Sequence, residues 1–425
     1  MQAPINLASL GRVRVLRALS EESALSRAEL VKLTGLARAT VGSVIDDLID
    51  AGLVRKTTEA DAPGARTGRS QSAADAPGVR TGRTTSAVAA SASAARTGRP
   101  PQLLSLEPRA AYAVGLDIGH DHVRAVLTDL IGTVLWDGSV QLDVDGDPES
   151  ALSSAATLLD RAIDEVGAEL ERILGLGLGI ACPVDKTTGA LHAEGIMPGW
   201  IGMRPARELG RRTGLPVRII NDANAGVLAE RRFGAARNCV NVVYLRLSSG
   251  IGAGVMCDGR MLLGHGGLAG ELGHVTVEAN GAVCRCGNRG CLETVASPPA
   301  VAALLTRSWG RPVTPEELPD LLQVGDRGTL RAIEDAGDAV GRALAFTVML
   351  LNPELIVVGG DLASAGDILF EPMRRSLARN TMDSHAHPLR IVPGSLGDSA
   401  GVRGAAALVL ATAPERLGQA PLPTA

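Results

Sequence analysis

The apolar positions of the first sixty residues recur at helical spacing in three separate stretches. Ser26 and Glu29 form a capping box, which predicts a short middle helix that ends near Thr34 and Gly35. The third helix ends at Gly52, and "GLVRKT" around that glycine can form the strand of a wing. The apolar stripes of the first and third helices are Val15, Leu16, Leu19, Val41, Val44, Ile45, Leu48 and Ile49. The pattern therefore predicts a small trihelical domain with a wing.

From Tyr112 onward, short β-branched runs end in glycine turns and alternate with amphipathic stretches. The runs "AYAVGLDIG", "ILGLGLGIACPV" and "PELIVVGGDL" predict buried strands, and "ALSSAATLLDRAIDEVGAEL" predicts a helix. The stretch "VNVVYLRLSSGIGAGVMCDGRML" predicts a hairpin with a glycine-rich bend, and "VRIINDANAG" predicts a strand that runs into a helix. This alternation predicts an α/β fold with functional turns at the strand ends.

Residues 59–101 separate these two regions and contain almost no large apolar side chain. The unit Arg-Thr-Gly-Arg occurs three times there, and the segment holds six arginines. Because it offers too little apolar surface to offset chain entropy, the segment is predicted to be a flexible linker. Its arginines can also contact DNA phosphates or a minor groove, so two interpretations stay open.

The net charge of −4 conceals an asymmetry between the two regions. Residues 1–101 hold 14 Lys and Arg against 9 Asp and Glu, whereas the remainder holds 28 against 37. A basic first region suggests an anionic partner, most often nucleic acid. No apolar run reaches membrane-spanning length, so a cytoplasmic protein without a membrane partner is expected. Candidate DNA-contacting residues, at the start of the third helix and in the wing, are Arg38, Ala39, Thr40, Ser43, Arg55 and Lys56.

Residues 8–58 resemble the winged helix-turn-helix domain of many bacterial repressors. The motifs "GLDIG", "NDANAG", "GIGAGV", "AGELGH", "CRCGNRGCLE" and "NPELIVVGG" follow in order, and residues 102–412 resemble the ROK family of repressors, open reading frames and sugar kinases. The resemblance implies a two-lobed, actin-like ATPase fold of the ribonuclease H type. The predicted domains are 1–58 (winged helix-turn-helix), 59–101 (linker), 102–225 (N-terminal lobe) and 226–425 (C-terminal lobe), with the C-terminal helix returning to the first lobe.

Three cysteines, Cys284, Cys286 and Cys291, crowd into eight residues, and His274 precedes the first of them by ten. In a reducing compartment such a cluster indicates metal chemistry rather than disulfides. Three thiolates and one imidazole form a closed tetrahedral set, which is typical of structural zinc. The family resemblance assigns the same four positions to Zn²⁺, and random clustering is the alternative.

The resemblance also implies a pocket for a hexose-like sugar. The positions that match the family's sugar-binding residues are Asn221, Asp222, Glu271, His274, Glu293 and Gly199. Carboxylates and an amide suit a sugar because they match its hydroxyl donors and acceptors. In the family's kinases the position of Asp222 holds the base that takes the sugar hydroxyl proton. From its place after a strand alone, Asp222 could equally be a helix cap.

The nucleotide side departs from the pattern of the family's kinases. The positions that match the nucleotide-binding turns are Asp117, Gly119, Ser249, Gly250, Gly252, Gly359 and Gly360. His120, Asp121 and His122 stand where the kinases have small and hydroxylic residues, and the Asp121 carboxylate would repel phosphates. Ala253 replaces a usual glycine, and Asp361 follows the last turn. We therefore expect weakened nucleotide binding beside an intact sugar side.

These features predict a sugar-responsive transcriptional regulator, a repressor that a sugar or sugar phosphate releases from operator DNA. A homodimer or homotetramer is expected because two winged heads must read two half-sites. The alternative is an active, glucokinase-like sugar kinase with a fused DNA-binding domain, in which Asp222 is catalytic. A third interpretation is a binding module that lacks both activities.

Overall fold

The computed structural model describes residues 7–58, 102–192, 194–382 and 388–419. The chain divides into two compact units, Met1–Ala110 with Pro414–Ala425, and Ala111–Ala413. The Arg-Thr-Gly-Arg repeats, and with them the predicted linker and its proposed DNA contacts, lie outside the described residues. Among the helices of the described ranges, none is long and apolar enough to cross a membrane.

The first unit is the trihelical domain that the sequence predicts. Its elements are α1 (Leu7–Glu21), β1 (Leu25–Ser26), α2 (Arg27–Thr34), α3 (Arg38–Asp50), β2 (Val54–Thr57) and β3 (Leu103–Leu106). The capping box is confirmed, because Ser26 and Glu29 each accept a backbone hydrogen bond from the other. Gly35 ends α2 in the left-handed conformation, with φ of +67°. The buried side chains that hold the three helices together include Val15, Leu16, Leu19, Leu30, Val41, Ile45 and Leu48.

The wing of the first unit is a three-stranded sheet in the order β1-β3-β2. β2 and β3 are antiparallel neighbours, with Val54 opposite Leu106 and Thr57 opposite Leu103. The strands that flank the segment 59–101 are therefore neighbours in one sheet, and the segment is an insertion in the sequence of the wing. This differs from the predicted linker between head and body, and residues 102–110 belong to the head rather than to a lobe.

The second unit contains two five-stranded sheets. The elements of its first half are β4 (Tyr112–Ile118), β5 (His122–Asp129), β6 (Val134–Gln141), α4 (Pro148–Val166), β7 (Ile173–Ile180), α5 (Pro205–Thr213) and β8 (Val217–Asn221). Those that follow are α6 (Asp222–Phe233), β9 (Val242–Leu247), β10 (Ile251–Cys257), β11 (Arg260–Met261), α7 (Glu293–Ala296), α8 (Pro298–Trp309), α9 (Leu318–Gln323), α10 (Arg327–Leu351), β12 (Leu355–Gly359), α11 (Asp367–Asn380), β13 (Arg390–Pro393) and α12 (Ala400–Leu410).

The two sheets share one topology. Their strand orders are β6-β5-β4-β7-β8 and β11-β10-β9-β12-β13. Each sheet begins with three antiparallel strands, and two parallel strands then extend it on the other side of the first strand. Valine, leucine, isoleucine and alanine side chains fill the cores on the helix-covered faces of the sheets. The repeated order confirms the predicted two-lobed α/β fold.

Glycines allow α12 to lie directly on the first sheet. A Cβ atom at Gly115 of β4 would lie 2.1 Å from the carbonyl oxygen of Val402. A Cβ atom at Gly177 of β7 would lie 1.8 Å from the carbonyl oxygen of Ala405. Because any side chain would collide with the helix backbone, these strand positions require glycine. α12 is thus the helix near the C-terminus that packs on the first lobe.

The last helix, α13 (Ala413–Gln419), belongs to the head from Pro414 onward. Glu415 forms an ion pair with Arg17 of α1, and a Cβ atom at Gly418 would lie 3.0 Å from the backbone nitrogen of Val13. The sequence-based boundary, which assigns residues up to 425 to the C-terminal lobe, differs here as well. Two chain segments therefore join the units, one after β3 and one after α12.

Candidate functional site

A polar cleft in the second unit opens at the ends of β7 and β8 and at the β9–β10 turn. Its polar and charged lining residues are His120, Asn221, Asp222, Arg246, Ser249, Glu271, His274, Arg285 and Glu293. Five of the six predicted sugar-side residues therefore meet in one cleft. The exception is Gly199, which lies in the turn Pro198–Trp200 and donates its N–H to the carbonyl oxygen of Asp145 at 2.9 Å.

Asn221, the last residue of β8, caps α6. Its side-chain oxygen accepts hydrogen bonds from the backbone N–H groups of Ala223 at 3.0 Å and Asn224 at 3.2 Å. Its amide nitrogen donates to Asp222 Oδ1 at 2.9 Å and to the carbonyl oxygen of Cys182 at 3.4 Å. Asn221 is thus the N-cap of α6, and Asp222 Oδ1 also accepts the backbone N–H of Ala223 at 2.7 Å, so the Asn221 amide and the start of the helix together orient the Asp222 carboxylate.

Arg246 of β9 is a cleft residue that the sequence motifs do not reveal. Its Nη1 lies 3.3 Å from Asp222 Oδ2, and its side chain is 18% exposed. Burial opposes the charge of the guanidinium, but Asp222 and Asp117 outweigh it and raise the pKa of Arg246. The only signal in the sequence is a single charged residue inside the apolar run "VNVVYLRL".

Glu293, at the start of α7, is paired with a second arginine that the motifs do not reveal. Arg285 donates from Nε to Glu293 Oε1 at 2.9 Å and from Nη2 to Oε2 at 3.2 Å. The backbone N–H of Ile251 donates to Glu293 Oε2 at 3.1 Å. Glu293 thus connects the cysteine-bearing loop with the β9–β10 turn.

Glu271 is the third predicted sugar-side acid. Burial, and after it the charges of Asp222 and Glu293, raise the pKa of Glu271 to about 7. Near neutral pH the group can therefore donate as an acid or accept as a carboxylate, as a sugar hydroxyl requires. Its Oε2 lies 3.9 Å from Nε2 of His274.

The four predicted metal ligands form one compact cluster. The ligand atoms of His274, Cys284, Cys286 and Cys291 all lie within 4.8 Å of one another. His274 Nδ1 is 3.6 Å from Cys284 Sγ, and Cys286 Sγ is 3.7 Å from Cys291 Sγ. The cluster could hold a metal ion, and its imidazole and thiolate donors suit a soft or borderline cation. Since the other ring nitrogen of His274 faces Glu271, the cluster borders the cleft.

The first predicted phosphate turn is covered by a side chain. His122 Nε2 lies 3.9 Å from Asp117 Oδ2, and its Nδ1 lies 2.7 Å from Asp121 Oδ1. Burial alone would raise the pKa of Asp117, but His122 and Arg246 outweigh it and hold that pKa below its usual value. A Cβ atom at Gly119 would lie 2.3 Å from the imidazole of His122. The imidazole therefore occupies the space beside a glycine that a phosphate turn leaves open.

The other predicted nucleotide turns divide between the cleft and the core. Ser249, Gly250 and Gly252 line the cleft. Gly359 and Gly360 pack against β9 instead. A Cβ atom at Gly359 would lie 2.3 Å from Tyr244 Oη, and one at Gly360 would lie 2.4 Å from the carbonyl oxygen of Leu247. Packing alone therefore requires these two glycines.

The predicted DNA-contacting residues lie at the start of α3 and on β2 of the head. Arg38, Ala39, Thr40, Ser43 and Lys56 are exposed. Arg55 is half-buried and donates from Nε to Ser105 Oγ at 3.4 Å. The N-cap residue of α3, Ala37, supplies no side-chain hydrogen bond, so the first backbone N–H groups of that helix suit a phosphate oxygen.

A winged helix domain joined to a two-lobed domain with a polar cleft defines a class of DNA-binding proteins with a sugar-kinase-like domain. Residues 113–412 match the ROK family, and residues 8–66 match the MarR family. The chain belongs to the ROK family, and the resemblance found in its motifs is confirmed.

Relatives that match over nearly the whole chain are regulators. The chain is 28% identical to a putative xylose repressor of Caldicellulosiruptor sp., which covers 94% of this chain and 95% of the relative. A crystal structure of a ROK family transcriptional regulator, a homologue of the Escherichia coli Mlc protein, is 26% identical with a TM-score of 0.74 and covers 97% and 98% of the two chains. The glucokinase of Thermotoga maritima is 34% identical over 72% of this chain and 98% of its own.

Proposed function

We propose that this protein is a sugar-responsive transcriptional repressor of carbohydrate-metabolism genes. One observation carries the proposal: a MarR-type head and a ROK domain share one chain, and relatives named as xylose repressors and Mlc match more than nine-tenths of that chain. Sugar bound in the cleft releases the protein from operator DNA. Because its partner is DNA, we place the protein in the cytoplasm.

The ligand is a neutral aldose, with D-xylose and D-glucose as the first candidates. Asp222, Glu271 and Glu293 offer three carboxyl groups to hydroxyls, and Asp117 adds a fourth buried acid nearby. Two arginines compensate only part of this charge, so a sugar phosphate would meet net repulsion. The relatives named as xylose repressors make D-xylose the first sugar to test.

The ion of the Cys3His cluster is Zn²⁺, in a structural role. Three thiolates and one imidazole complete its tetrahedral coordination and leave no open position for catalysis. The ion would fix the loop that carries Arg285 and Glu293, and hence the shape of the cleft. Zinc loss should therefore weaken sugar binding before it affects the head.

Operator binding belongs to α3 and the wing. Arg38, Ala39, Thr40 and Ser43 meet the major groove, and Arg55 and Lys56 on β2 meet phosphates. The uncapped start of α3 supports this assignment, because its N–H groups and positive partial charge favour an anion.

We propose a homodimer, which places two heads on two half-sites. The outer face of α10 supports it, since Phe346, Met349 and Leu350 follow helical spacing and are 66%, 52% and 83% exposed. A second copy of the same face would cover these side chains by twofold symmetry. Leu350→Asp should yield monomers in sedimentation equilibrium, whereas Val324→Asp, at an exposed apolar residue outside this face, should not. A monomeric wild type would disprove the dimer.

The short links between the units provide a route from the cleft to the head. α12 begins beside Asp117, where a Cβ atom at Gly401 would lie 2.5 Å from Asp117 Oδ2, and its other end leads into α13. α13 packs on α1 of the head, so we propose that ligand binding is transmitted along the chain from α12 to α13.

The proposal is tested in two stages with the zinc-loaded full chain. A thermal-shift screen of monosaccharides identifies ligands, since a ligand of the native state raises Tm. Hits are then added to the protein bound to DNA fragments that it enriches from genomic DNA. We expect release by the same sugar, loss of release in Asp222→Asn, and loss of DNA binding alone in Arg38→Ala. A protein stabilised by no sugar, or bound to DNA regardless of sugar, would contradict the proposal.

Sugar phosphorylation is the second candidate, favoured by Asp222 lying in the same cleft as Ser249 and Gly250. A coupled assay for ADP release over the same sugars decides between the two. Turnover that Asp222→Asn abolishes would establish a kinase, and its absence alongside sugar binding would establish a sensor.

A further inference from the structure

Arg246 occupies a row of the second sheet in which its neighbours have no side chains. It lies opposite Gly252 on β10 and beside Gly359 on β12. Residues opposite one another in a sheet share a face, so no β-carbon flanks the arginine on either neighbouring strand. Both glycines belong to turns that match the family's nucleotide motifs. Tyr244 Oη occupies the space beside Gly359, whereas Gly252 lines the cleft together with Arg246.

The position of Arg246 beside the acidic side chain of Asp222 requires a physical reason. The rest of β9 is apolar and buried, and an arginine among such residues destabilises the fold unless carboxylates compensate it. Asp222 lies 3.3 Å from its Nη1, and Asp117, the second acid, has its pKa lowered by His122 and Arg246. In phosphoryl-transfer sites Mg²⁺ balances such carboxylates. Here the chain supplies the positive charge itself.

We propose that Arg246 is a built-in cation that replaces a metal–nucleotide pair and completes the sugar pocket without either. The inference rests on the proposed sugar-sensing function and deepens it. Arg246 is a positioning residue: it holds Asp222 Oδ2, while Asn221 holds Oδ1, so both carboxylate oxygens are fixed in the cleft. Mg-nucleotide does not fit beside it, because His122 covers Gly119 and the guanidinium is already paired with Asp222.

The test removes this charge and supplies a metal instead. Arg246→Met keeps the side-chain length without the charge, Arg246→Lys keeps a charge, and Arg218→Met is the matched control at an exposed arginine on β8. Titration calorimetry with D-xylose and D-glucose, with and without Mg²⁺ and the nucleotide analogue AMPPNP, measures sugar affinity. Thermal shift with Mg²⁺ and AMPPNP alone gives a second readout that needs no sugar.

We expect the wild type to bind sugar with the same Kd whether or not Mg-AMPPNP is present. Arg246→Met should lose about 10- to 100-fold in affinity, with partial recovery on adding Mg²⁺, while Arg246→Lys stays within about threefold. Mg-AMPPNP should raise Tm only in Arg246→Met. If Arg246→Met folds poorly, the double variant Arg246→Met/Asp222→Asn is measured instead, because it removes both charges of the pair. A double variant that is more stable than Arg246→Met supports the pairing.

Two results would overturn the inference: a wild type that needs Mg-AMPPNP to bind sugar, or Arg246→Met with unchanged affinity and no response to Mg²⁺. A wild type that binds no sugar fails the proposed function instead, and the thermal shift with Mg-AMPPNP still decides the role of Arg246.

Discussion

The two halves of the cleft differ in the kind of residue that forms their motifs. On the sugar side Asp222, Glu271 and Glu293 converge, and arginines orient two of them. On the phosphate side the glycines are kept, but His122 fills the space beside Gly119. The motifs with polar side chains predicted which residues meet in the cleft, whereas the glycine motifs predicted only positions where the backbone needs room.

The reason lies in what a glycine is needed for. A phosphate turn and a close backbone packing both exclude a Cβ atom, and the sequence cannot separate them. Gly359 is required by Tyr244, and Gly360 by the Leu247 carbonyl and its φ of +86°. These glycines therefore persist whether or not nucleotide binds, and retained glycines do not establish a kinase.

The largest effect should come from the metal cluster that borders only the sugar side. Cys291→Ala removes a fully buried ligand, so the cysteine loop should loosen and carry Glu293 with it. We expect loss of bound zinc, a fall in Tm on the order of 10 °C and loss of measurable sugar binding. Metal analysis and calorimetry measure both. Cys257→Ala, a cysteine of β10 outside the cluster, is the control, and equal losses there would refute the link.

The second test compares one acid from each half. Asp222→Asn should lower sugar affinity by about 10- to 100-fold, because it removes the charge that Arg246 faces and an acceptor for hydroxyls. Asp361→Asn should leave sugar affinity within about twofold. In the wild type Asp361 Oδ2 accepts a hydrogen bond from Ser248 Oγ at 2.6 Å, and the amide oxygen of asparagine can still accept that bond. Calorimetry with the same sugar compares them. Similar losses in both variants would erase the distinction between the halves.

A smaller effect is expected from a glycine that touches both halves. A Cβ atom at Gly250 would lie 2.8 Å from Arg285 Nη2 and 2.9 Å from Glu293 Oε2. Gly250→Ala should therefore disturb the Arg285–Glu293 pair and weaken sugar binding by about 3- to 10-fold. Gly266→Ala, where a Cβ atom meets nothing within 4 Å, is the control. If Gly250→Ala leaves sugar binding intact, the turn does not support the sugar side.

The smallest effect concerns pH on the phosphate side. The pKa of His122 is raised from 6.5 to about 8. The main cause is Asp117, to which Asp121 adds, and together they outweigh the opposing effect of burial. Since the folded state binds this proton more tightly, the stabilisation is complete below pH 6.5 and disappears as pH rises through 8. The Tm advantage of wild type over His122→Gln should therefore shrink across that range. A pH-independent difference would mean that His122 acts by packing alone.

Much of the fold was predictable because its signals are local. The capping box at Ser26 and Glu29 and the helix end at Gly35 depend on residues a few positions apart. The strands predicted from "AYAVGLDIG" and "PELIVVGGDL" correspond to β4 and β12. A central strand that is buried on both faces has a continuous apolar sequence, which is easy to recognise. The cysteine cluster was visible for the same reason, because three of its ligands lie within eight residues.

The pairing of distant segments was not predictable. β3 pairs with β2 although 45 residues separate them in the sequence. The segment that was predicted to be a linker between head and body is therefore an insertion between two strands of the wing. α13 returns to α1 through Arg17 and Glu415, almost 400 positions apart in the chain. No periodicity or spacing in the sequence indicates either contact, because strand pairing and ion pairing between distant residues depend on the three-dimensional fold.

By itself the sequence determined the family and most of the elements, and it indicated the residues that we propose for a sugar and a metal, because these depend on local composition and short spacings. Only the tertiary structure decided that Asn221 caps the helix, that Arg246 faces Asp222 and Asp117, and that His122 covers Gly119. The physical reason is that charge balance and steric access depend on distances between side chains from different strands, which the order of residues along the chain does not fix.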